Sequence, residues 1–246
     1  MSQPWATAGR TTGRQWLPVD ARIPYRFLVT YRAPADELRR LVPAPLELDE
    51  RAGLGFLSVC ALRLEGLAPL GWPRAWAFDT PEFLIRLSVT YRGEPTFFTL
   101  ASWVASRRLA WLSAHFSHYR PAWADFTEQA HGRRRELRAR ADDGSLAELD
   151  AEFSADDAQV GWPSGSVFSD VADAEAFLLG MAGSVDVTSS GAVRFQPITR
   201  TPWRARPVHV HTARFDFIDR LAVGAELDHA LGMSDIEQRW ERVRPW

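Results

Sequence analysis

The stretch that decides the fold is EFLIRLSVTYRGEPTFFTLASWVA, residues 82–105. Two runs rich in β-branched and aromatic residues flank the turn residues 93–95, and this pattern predicts a β-hairpin. Side chains on the first strand alternate between two faces. One face is plainly apolar, whereas the other is too polar for a core and too sparsely charged for a free surface. The apolar face carries Phe83, Ile85, Leu87, Val89 and Tyr91, and the other carries Glu82, Leu84, Arg86, Ser88 and Thr90.

Strand-like segments continue on both sides of this hairpin, with a few helical segments between them. Many strands joined by short turns predict an α+β, mainly β fold, a closed or nearly closed antiparallel barrel with two or three flanking helices. Strands are predicted within 23–32, 54–67, 184–198 and 206–217, a second hairpin within 132–155, and helices at 33–43, 106–116 and around 171–181. The C-terminal segment SDIEQRWERVRP, residues 234–245, fits a strand or a helix.

The chain shows no internal repeat and no low-complexity linker. We therefore expect residues 22–246 to form a single domain, preceded by a loose polar arm at residues 1–21. At 246 residues this is an ordinary length for one barrel.

Composition restricts the partners and the compartment. A formal net charge of −2 provides no global field for nucleic acid or an anionic membrane. The N-terminus has no apolar segment typical of a signal peptide, and no later run is long enough to span a bilayer. The only cysteine, Cys60, excludes an internal disulfide and is expected to be a small core residue. A cytoplasmic protein is the expectation.

The chain contains no lysine, so all 29 basic residues are arginine. A guanidinium stays protonated and is a poor nucleophile, which means that no side chain can form a Schiff base. The sequence also lacks a Gly-x-Ser-x-Gly elbow, a phosphate loop and a dinucleotide fingerprint. No cofactor is therefore expected.

Several ordered motifs are shared with one family. They are PADELRRLVPAPLELDE (34–50), GLGFLSVCALRLEGLAPLGWP (53–73), the hairpin and helix of 81–116, and TRTPWRARPVHV (199–210). In this order they resemble the YqjF-like family of uncharacterised bacterial proteins, a branch of the acetoacetate decarboxylase-like superfamily. The resemblance implies a β-barrel or cone that encloses a cavity and is flanked by helices.

The same resemblance implies a loss of the superfamily's amine chemistry. Acetoacetate decarboxylases carry a Gly-x-Pro-Lys-Lys segment after the central hairpin and its helix, and one of these lysines forms the Schiff base. The matching stretch here, SHYRPAW (117–123), offers Arg120 and Pro121 and no amine. The fold is therefore expected to carry over without the decarboxylation mechanism.

Arg86 is the first candidate for ligand binding, because a guanidinium on the polar strand face can hold a carboxylate or an enolate oxygen. Ser88 shares this face, and Glu82 is a candidate proton carrier there. A solvent-facing strand or a cross-strand ion pair remains the alternative. Arg63 matches an arginine of the family's motif, and for it a structural ion pair with Glu65 or Glu82 is at least as well supported as ligand binding.

The segment after the predicted helix of 106–116 is the second candidate. His118, or His115, would act as general acid or base, and Tyr119 or Arg120 would stabilise an oxyanion. The alternative is a helix end whose histidines favour the helix dipole.

His209 and His211 lie two apart on a predicted strand, a spacing that can ligate a metal. Without a third ligand, surface histidines are the stronger interpretation, and no metal site is predicted. The leading hypothesis is a barrel that binds a small organic acid or ketone, with proton-transfer chemistry of a lyase or isomerase type. A non-catalytic carrier or sensor, and a structural or assembly protein that forms homo-oligomers, are the alternatives.

Overall fold

The computed structural model describes residues 15–116, 120–154 and 161–246. Within these residues one sheet contains fourteen strands. The strands are β1 (Val19–Pro34), β2 (Glu47–Leu48), β3 (Glu50–Arg51), β4 (Leu54–Pro69), β5 (Phe78–Tyr91), β6 (Glu94–Val104), β7 (Ala122–His131), β8 (Arg134–Ala141), β9 (Leu146–Phe153), β10 (Gly183–Val187), β11 (Val193–Arg200), β12 (Arg206–Phe215), β13 (Glu226–Trp240) and β14 (Arg244–Pro245).

Four α-helices accompany the sheet in the described part of the chain, one more than the largest number expected. They are α1 (Ala35–Arg39), α2 (Arg107–Phe116), α3 (Val171–Leu179) and α4 (Asp216–Leu221). Ser106 and Asp170 cap α2 and α3, since their side-chain oxygens accept hydrogen bonds from the backbone N–H groups of Leu109 and Asp173. The mainly β fold is thus confirmed, and the ambiguous tail forms the end of strand β13 and the short strand β14.

The sheet closes on itself through two sets of pairings. Strands β1, β4, β5, β6, β10, β11 and β13 form one ring, because β11 pairs with β13 and β5 pairs with β6. A second ring leaves β6 through β7, β8, β9 and β12 and returns to β13. Strands β13, β1, β4, β5 and β6 are therefore a wall that both rings share.

The ladder is mixed rather than purely antiparallel. Strand β6 pairs in parallel with β7 on one stretch and with β10 on another. Helix α2 explains the first parallel pair, because a crossover is needed to bring the chain back in the same direction. The remaining pairs of the wall are antiparallel, as the hairpin pattern predicts.

The shared wall is buried on both faces, each against its own hydrophobic cluster. The apolar face of β5 joins a cluster with β7, β8, β9 and β12, in which Phe83 stacks on Phe126 and meets Phe215 edge to face. The opposite face joins a smaller cluster that includes Phe168 and Leu178, from α3 and the segment before it. We call the first the apolar face and the second the polar face, because the buried charges described below lie on it.

Candidate functional site

Strand β5 places three predicted site residues on the polar face. Glu82, Arg86 and Ser88 are 2 %, 9 % and 1 % exposed. The guanidinium carbon of Arg86 lies 4.0 Å from the centroid of the Phe97 ring, which provides a cation–π contact. The hydroxyl of Ser102 donates to Glu82 Oε1 at 2.7 Å. Arg86 therefore lies inside the molecule and not on a solvent-facing strand.

Cross-strand pairs extend this polar face over the neighbouring strands, since residues directly opposite each other share a face. Arg86 is opposite Ser58 on β4, and Ser58 is opposite Thr30 on β1. The Thr30 and Ser58 hydroxyls are 3.4 Å apart. Cys60, two residues further along β4, is buried on the same face, in agreement with the small core residue expected.

Two further arginines, which the sequence argument does not single out, complete the site. Arg26 on β1 is 5 % exposed and its Nη2 donates to Gln238 Oε1 at 2.7 Å. Arg200 on β11 is directly opposite the same Gln238 and donates to the carbonyl of Met181. Arg26, Arg86 and Arg200 are hereafter the arginine cluster.

Arg26 and Arg86 are close enough to Arg200 to affect its pKa. The pKa of Arg200 is lowered to about 10, chiefly by burial and then by repulsion from Arg26 and Arg86, while Cys60 acts weakly in the other direction. A pKa near 10 still leaves Arg200 charged at neutral pH. The cluster is thus a concentration of positive charge in a region of low dielectric, a suitable environment for an anion.

Arg63 lies elsewhere. It is opposite Pro81 in the ladder and shares the apolar face with Phe83. Its Nη1 is 2.8 Å from Glu128 Oε2, and Glu128 Oε1 accepts a hydrogen bond from the Tyr25 hydroxyl. The structure therefore separates Arg63 from the arginine cluster and gives it a structural ion pair, one of the two roles that the sequence left open. Its main partner is Glu128, which the sequence did not predict, and Glu65 is more distant at 3.7 Å.

The predicted proton carrier His118 and the predicted oxyanion stabiliser Tyr119 lie outside the described residues, as does the side chain of His115. Arg120, the first described residue after this gap, is half-buried just before β7. Because β7 pairs with the end of β6, Arg120 lies two residues before a strand that neighbours the one carrying Ser102.

His209 and His211 are exposed on β12, with ring centroids 4.4 Å apart, and His211 Nε2 is 3.4 Å from Glu152. Among the described residues, no group of three or more His, Cys, Asp or Glu side chains is arranged to hold a metal ion.

A buried Asp–His pair is a second feature that the sequence argument missed. Strand β13 has a bulge at Asp228, because Thr30 pairs with His229 and Tyr31 with Leu227. The bulge lets the Asp228 carboxylate reach His229 Nδ1 at 2.7 Å, and it also accepts from the Ser166 hydroxyl and the Val167 N–H. Burial raises the pKa of Asp228, but the hydrogen bonds from His229 and Ser166 outweigh it, so the pKa lies below its ordinary value.

The apolar face has a small recess of about 10 Å³, lined by residues such as Val59, Phe83 and Phe217. This volume is near the minimum for one water molecule. The recess is on the other side of the wall from the arginine cluster, so it is a packing defect of the core and not a ligand site.

The comparisons place the chain in a family. Residues 21–234 match the model of DUF2071, described as an uncharacterized conserved protein (COG2071), and the chain belongs to this family. This match agrees with the resemblance of the sequence motifs to a family of uncharacterised bacterial proteins. A search of curated proteins finds no match. None of the helices in the described ranges has the length and hydrophobicity that a membrane span requires.

Solved structures share the fold at low sequence identity. An acetoacetate decarboxylase matches with a TM-score of 0.62 and 13 % identity, over 100 % of this chain and 98 % of its own. An acetoacetate decarboxylase-like enzyme from Sphingomonas wittichii RW1 matches at 0.59 and 13 %, over 97 % and 100 %. The enduracididine biosynthesis enzyme MppR complexed with pyruvate matches at 0.59 and 12 %, over 93 % and 90 %. These likenesses establish an acetoacetate decarboxylase-like fold.

Proposed function

We propose that the protein binds a small organic acid or keto acid on the polar face of the shared wall, with its carboxylate held by the arginine cluster. The observation that carries this proposal is the burial of Arg26 and Arg86 close to the half-buried Arg200. Arg26 and Arg200 have only neutral hydrogen-bond partners among the described residues. Isolated buried cations are costly, and a bound carboxylate offsets that cost with charge-assisted hydrogen bonds.

A structurally similar protein supports the choice of ligand class. MppR, which shares the fold, is complexed with pyruvate. Pyruvate is a small keto acid and has the carboxylate that a guanidinium recognises. We therefore use pyruvate as the first probe.

We further propose that the protein is an enzyme of the lyase or isomerase type that works without a Schiff base. With no amine in its side chains, the chain would stabilise an enolate oxygen by a guanidinium of the arginine cluster. Glu82, fixed by the Ser102 hydroxyl on the same face, would carry a proton. His118 and Tyr119 remain predicted partners in this step.

Binding is tested by isothermal titration with pyruvate on the wild type and on Arg86→Gln. Loss of the charged hydrogen bonds is expected to weaken binding at least about tenfold. Arg138→Gln, which changes an exposed arginine of β8, is the control and should keep the wild-type affinity. Arg63→Gln should resemble this control, because Arg63 lies on the opposite face. Unchanged binding in Arg86→Gln would refute the anion site.

Catalysis is tested separately with a panel of small keto acids. Glu82→Gln keeps an acceptor for Ser102, so it should lose turnover while its affinity for pyruvate stays within about threefold of wild type. Binding without turnover of any panel member by the wild type would favour a carrier or sensor over an enzyme.

A further inference from the structure

One end of the shared wall exposes large apolar side chains from two segments of the chain. Trp16 and Leu17 precede β1 and are 67 % and 42 % exposed. Leu70, Trp72 and Trp76 follow β4 and are 48 %, 47 % and 65 % exposed. They are five of the eight large hydrophobic side chains that are exposed in the described ranges, and we call them the tryptophan patch.

The backbone brings the two segments of the patch together. Strands β1 and β4 pair in antiparallel directions, so the residues before β1 lie beside those after β4. Just beyond this ladder, the N–H of Leu70 donates to the carbonyl of Pro18 at 2.8 Å. The rings of Trp72 and Trp76 meet edge to face, with centroids 5.8 Å apart. The five side chains therefore lie on one surface.

Hydrogen bonds fix both segments to the fold. The carbonyl of Gln15 accepts from the N–H of Val243, and the Gln15 side chain donates to the carbonyl of Trp240 at 3.4 Å. Trp76 closes a 3₁₀ turn, in which its N–H donates to the carbonyl of Pro73. A partner would thus meet a largely pre-formed surface, and association costs less conformational entropy as a result.

The patch is large enough to be the centre of a stable interface. A tryptophan side chain presents about 250 Å² when fully accessible, so the exposed fractions of the three rings correspond to roughly 450 Å². The largest apolar patch on a typical monomer measures about 300–600 Å² and is often functional. A standard interface buries about 800 Å² on each partner, so the five side chains would supply more than half of one side.

Two opposite charges accompany the patch. Arg74 lies between Trp72 and Trp76 in the sequence, Asp79 follows shortly after, and both are exposed. Asp79 accepts a hydrogen bond from the N–H of Gly66, but neither charge has an ion-pair partner among the residues that the structure describes. A two-fold axis brings residue i of one copy to residue j of the other and also the reverse. An arginine and an aspartate on the same patch can therefore pair twice across such an axis.

These charges fit a second copy of the chain better than a lipid surface. Apolar patches that bind anionic membranes are surrounded by an excess of Lys and Arg. The segments 15–17 and 70–79 contain one arginine and one aspartate, and the whole chain has a formal net charge of −2.

We propose that the tryptophan patch is a dimer interface, in which two copies of this chain meet about a two-fold axis. The tryptophans form the apolar centre, and Arg74 of each copy pairs with Asp79 of the other at the rim. Tryptophan and arginine are the residue types that most often dominate interface energies. The interface is independent of the proposed anion site, because the patch does not include the arginine cluster.

Sedimentation velocity from about 0.1 to about 100 µM tests whether the dimer exists and whether the patch forms it. We expect the wild type to sediment as a dimer in the upper part of this range. Trp72→Ser and Trp76→Ser should each raise the dissociation constant of the dimer at least about tenfold. A wild type that stays monomeric throughout would overturn the proposal and leave residues 1–14 or a lipid surface as the occupant of the patch.

Two leucines of nearly equal exposure provide a matched control. Leu70 is 48 % exposed within the patch, whereas Leu227 is 47 % exposed and lies opposite Tyr31, near the other end of β1. Leu70→Ser should weaken the dimer at least about fivefold, and Leu227→Ser should leave its dissociation constant within about twofold of the wild type. Equal effects of the two substitutions would overturn the assignment of the interface to the patch.

Charge reversal tests the two-fold arrangement. Arg74→Glu places two acids at each rim contact and Asp79→Arg places two cations there, so each variant alone should weaken the dimer at least about threefold. An equimolar mixture of the two variants should associate about as tightly as the wild type, because both rim contacts of the mixed dimer then join opposite charges. A mixture that associates no more tightly than either variant alone would overturn the pairing of Arg74 with Asp79.

Discussion

Alternate residues of β5 lie on two faces that differ in their chemistry. On the apolar face Phe83, Ile85 and Leu87 are at most 1 % exposed and pack against aromatic rings from the second ring of strands. On the polar face Arg86 lies among like charges, at a distance at which repulsion lowers the pKa of Arg200. The first face is mainly apolar, whereas the second combines a smaller hydrophobic cluster with charged side chains. Like charges held together inside a well-packed wall cost stability, and such an arrangement is typical of a functional site.

The largest expected loss of unfolding free energy comes from a substitution on the apolar face. Phe83→Ala would remove a ring that contacts Phe126 and Phe215, and a change of this kind costs about 3–5 kcal/mol of unfolding free energy. Urea unfolding measures it. Pyruvate affinity, extrapolated to conditions in which the variant is folded, should be unchanged. A loss below about 1 kcal/mol would show that the apolar face is not the main source of stability.

The next largest loss of unfolding free energy is expected for the hydrogen-bond network around the bulge in β13. Asp228→Asn would remove the charge that His229 and Arg32 contact and would leave the hydrogen bonds of Ser166 and Val167 weakened. Hydrogen bonds to charged groups are worth about 1.5–3 kcal/mol, so we expect a loss of this order at neutral pH.

The pH dependence of this loss has a definite sign. The folded-state pKa of Asp228 lies below the unfolded value of 3.8, so its contribution is present above about pH 4 and disappears as the pH falls through the folded pKa. The difference in unfolding free energy between wild type and Asp228→Asn should therefore shrink from pH 5 to pH 3. A constant difference over this range would contradict the assigned ionisation.

The smallest expected changes in stability come from replacing one arginine on each face of the wall. Arg63→Met would leave Glu128 and the Tyr25 hydroxyl without their cation, and we expect it to lower the unfolding free energy by about 1–2 kcal/mol. Arg200→Met would remove a half-buried cation that Arg26 and Arg86 repel, and we expect its Tm to equal or exceed that of the wild type. Thermal unfolding without ligand measures both. A lower Tm for Arg200→Met than for Arg63→Met would contradict the expectation that Arg63 stabilises the fold and Arg200 does not.

The sequence was sufficient for the fold and for one part of the site. Alternation in 82–90 identified both faces of β5, because side-chain direction on a strand follows directly from position. Arg26 had a weaker signal of the same kind, as a charge within the apolar run IPYRFLVTYR, and it could have been found. Arg200 lies in the shared motif TRTPWRARPVHV, but the motif does not show its place opposite Gln238. That place depends on the pairing of β11 with β13, and such a long-range pairing leaves no local pattern.

The Asp228–His229 pair was missed for a related reason. In a regular strand, neighbouring residues lie on opposite faces, and the alternation rule would separate this aspartate from this histidine. The bulge that brings them together is visible only in the register between β1 and β13. Arg63 is the opposite case, a residue that a family motif made a candidate for ligand binding. Its role depends on Glu128, which comes from a distant strand and could not be identified from the sequence.

The doubly buried wall limits how the length of this chain can change. Inserting or deleting one residue within β5 would exchange the two faces, moving Arg86 into hydrocarbon and Ile85 among the guanidiniums, whereas a change of two residues would restore the alternation. Strand β6 already contains one extra residue, Leu100, between the partners of Ile85 and Arg86. Natural insertions in this family are therefore expected at hairpin tips such as Arg92–Gly93, and protein engineers should place tags or loop grafts there.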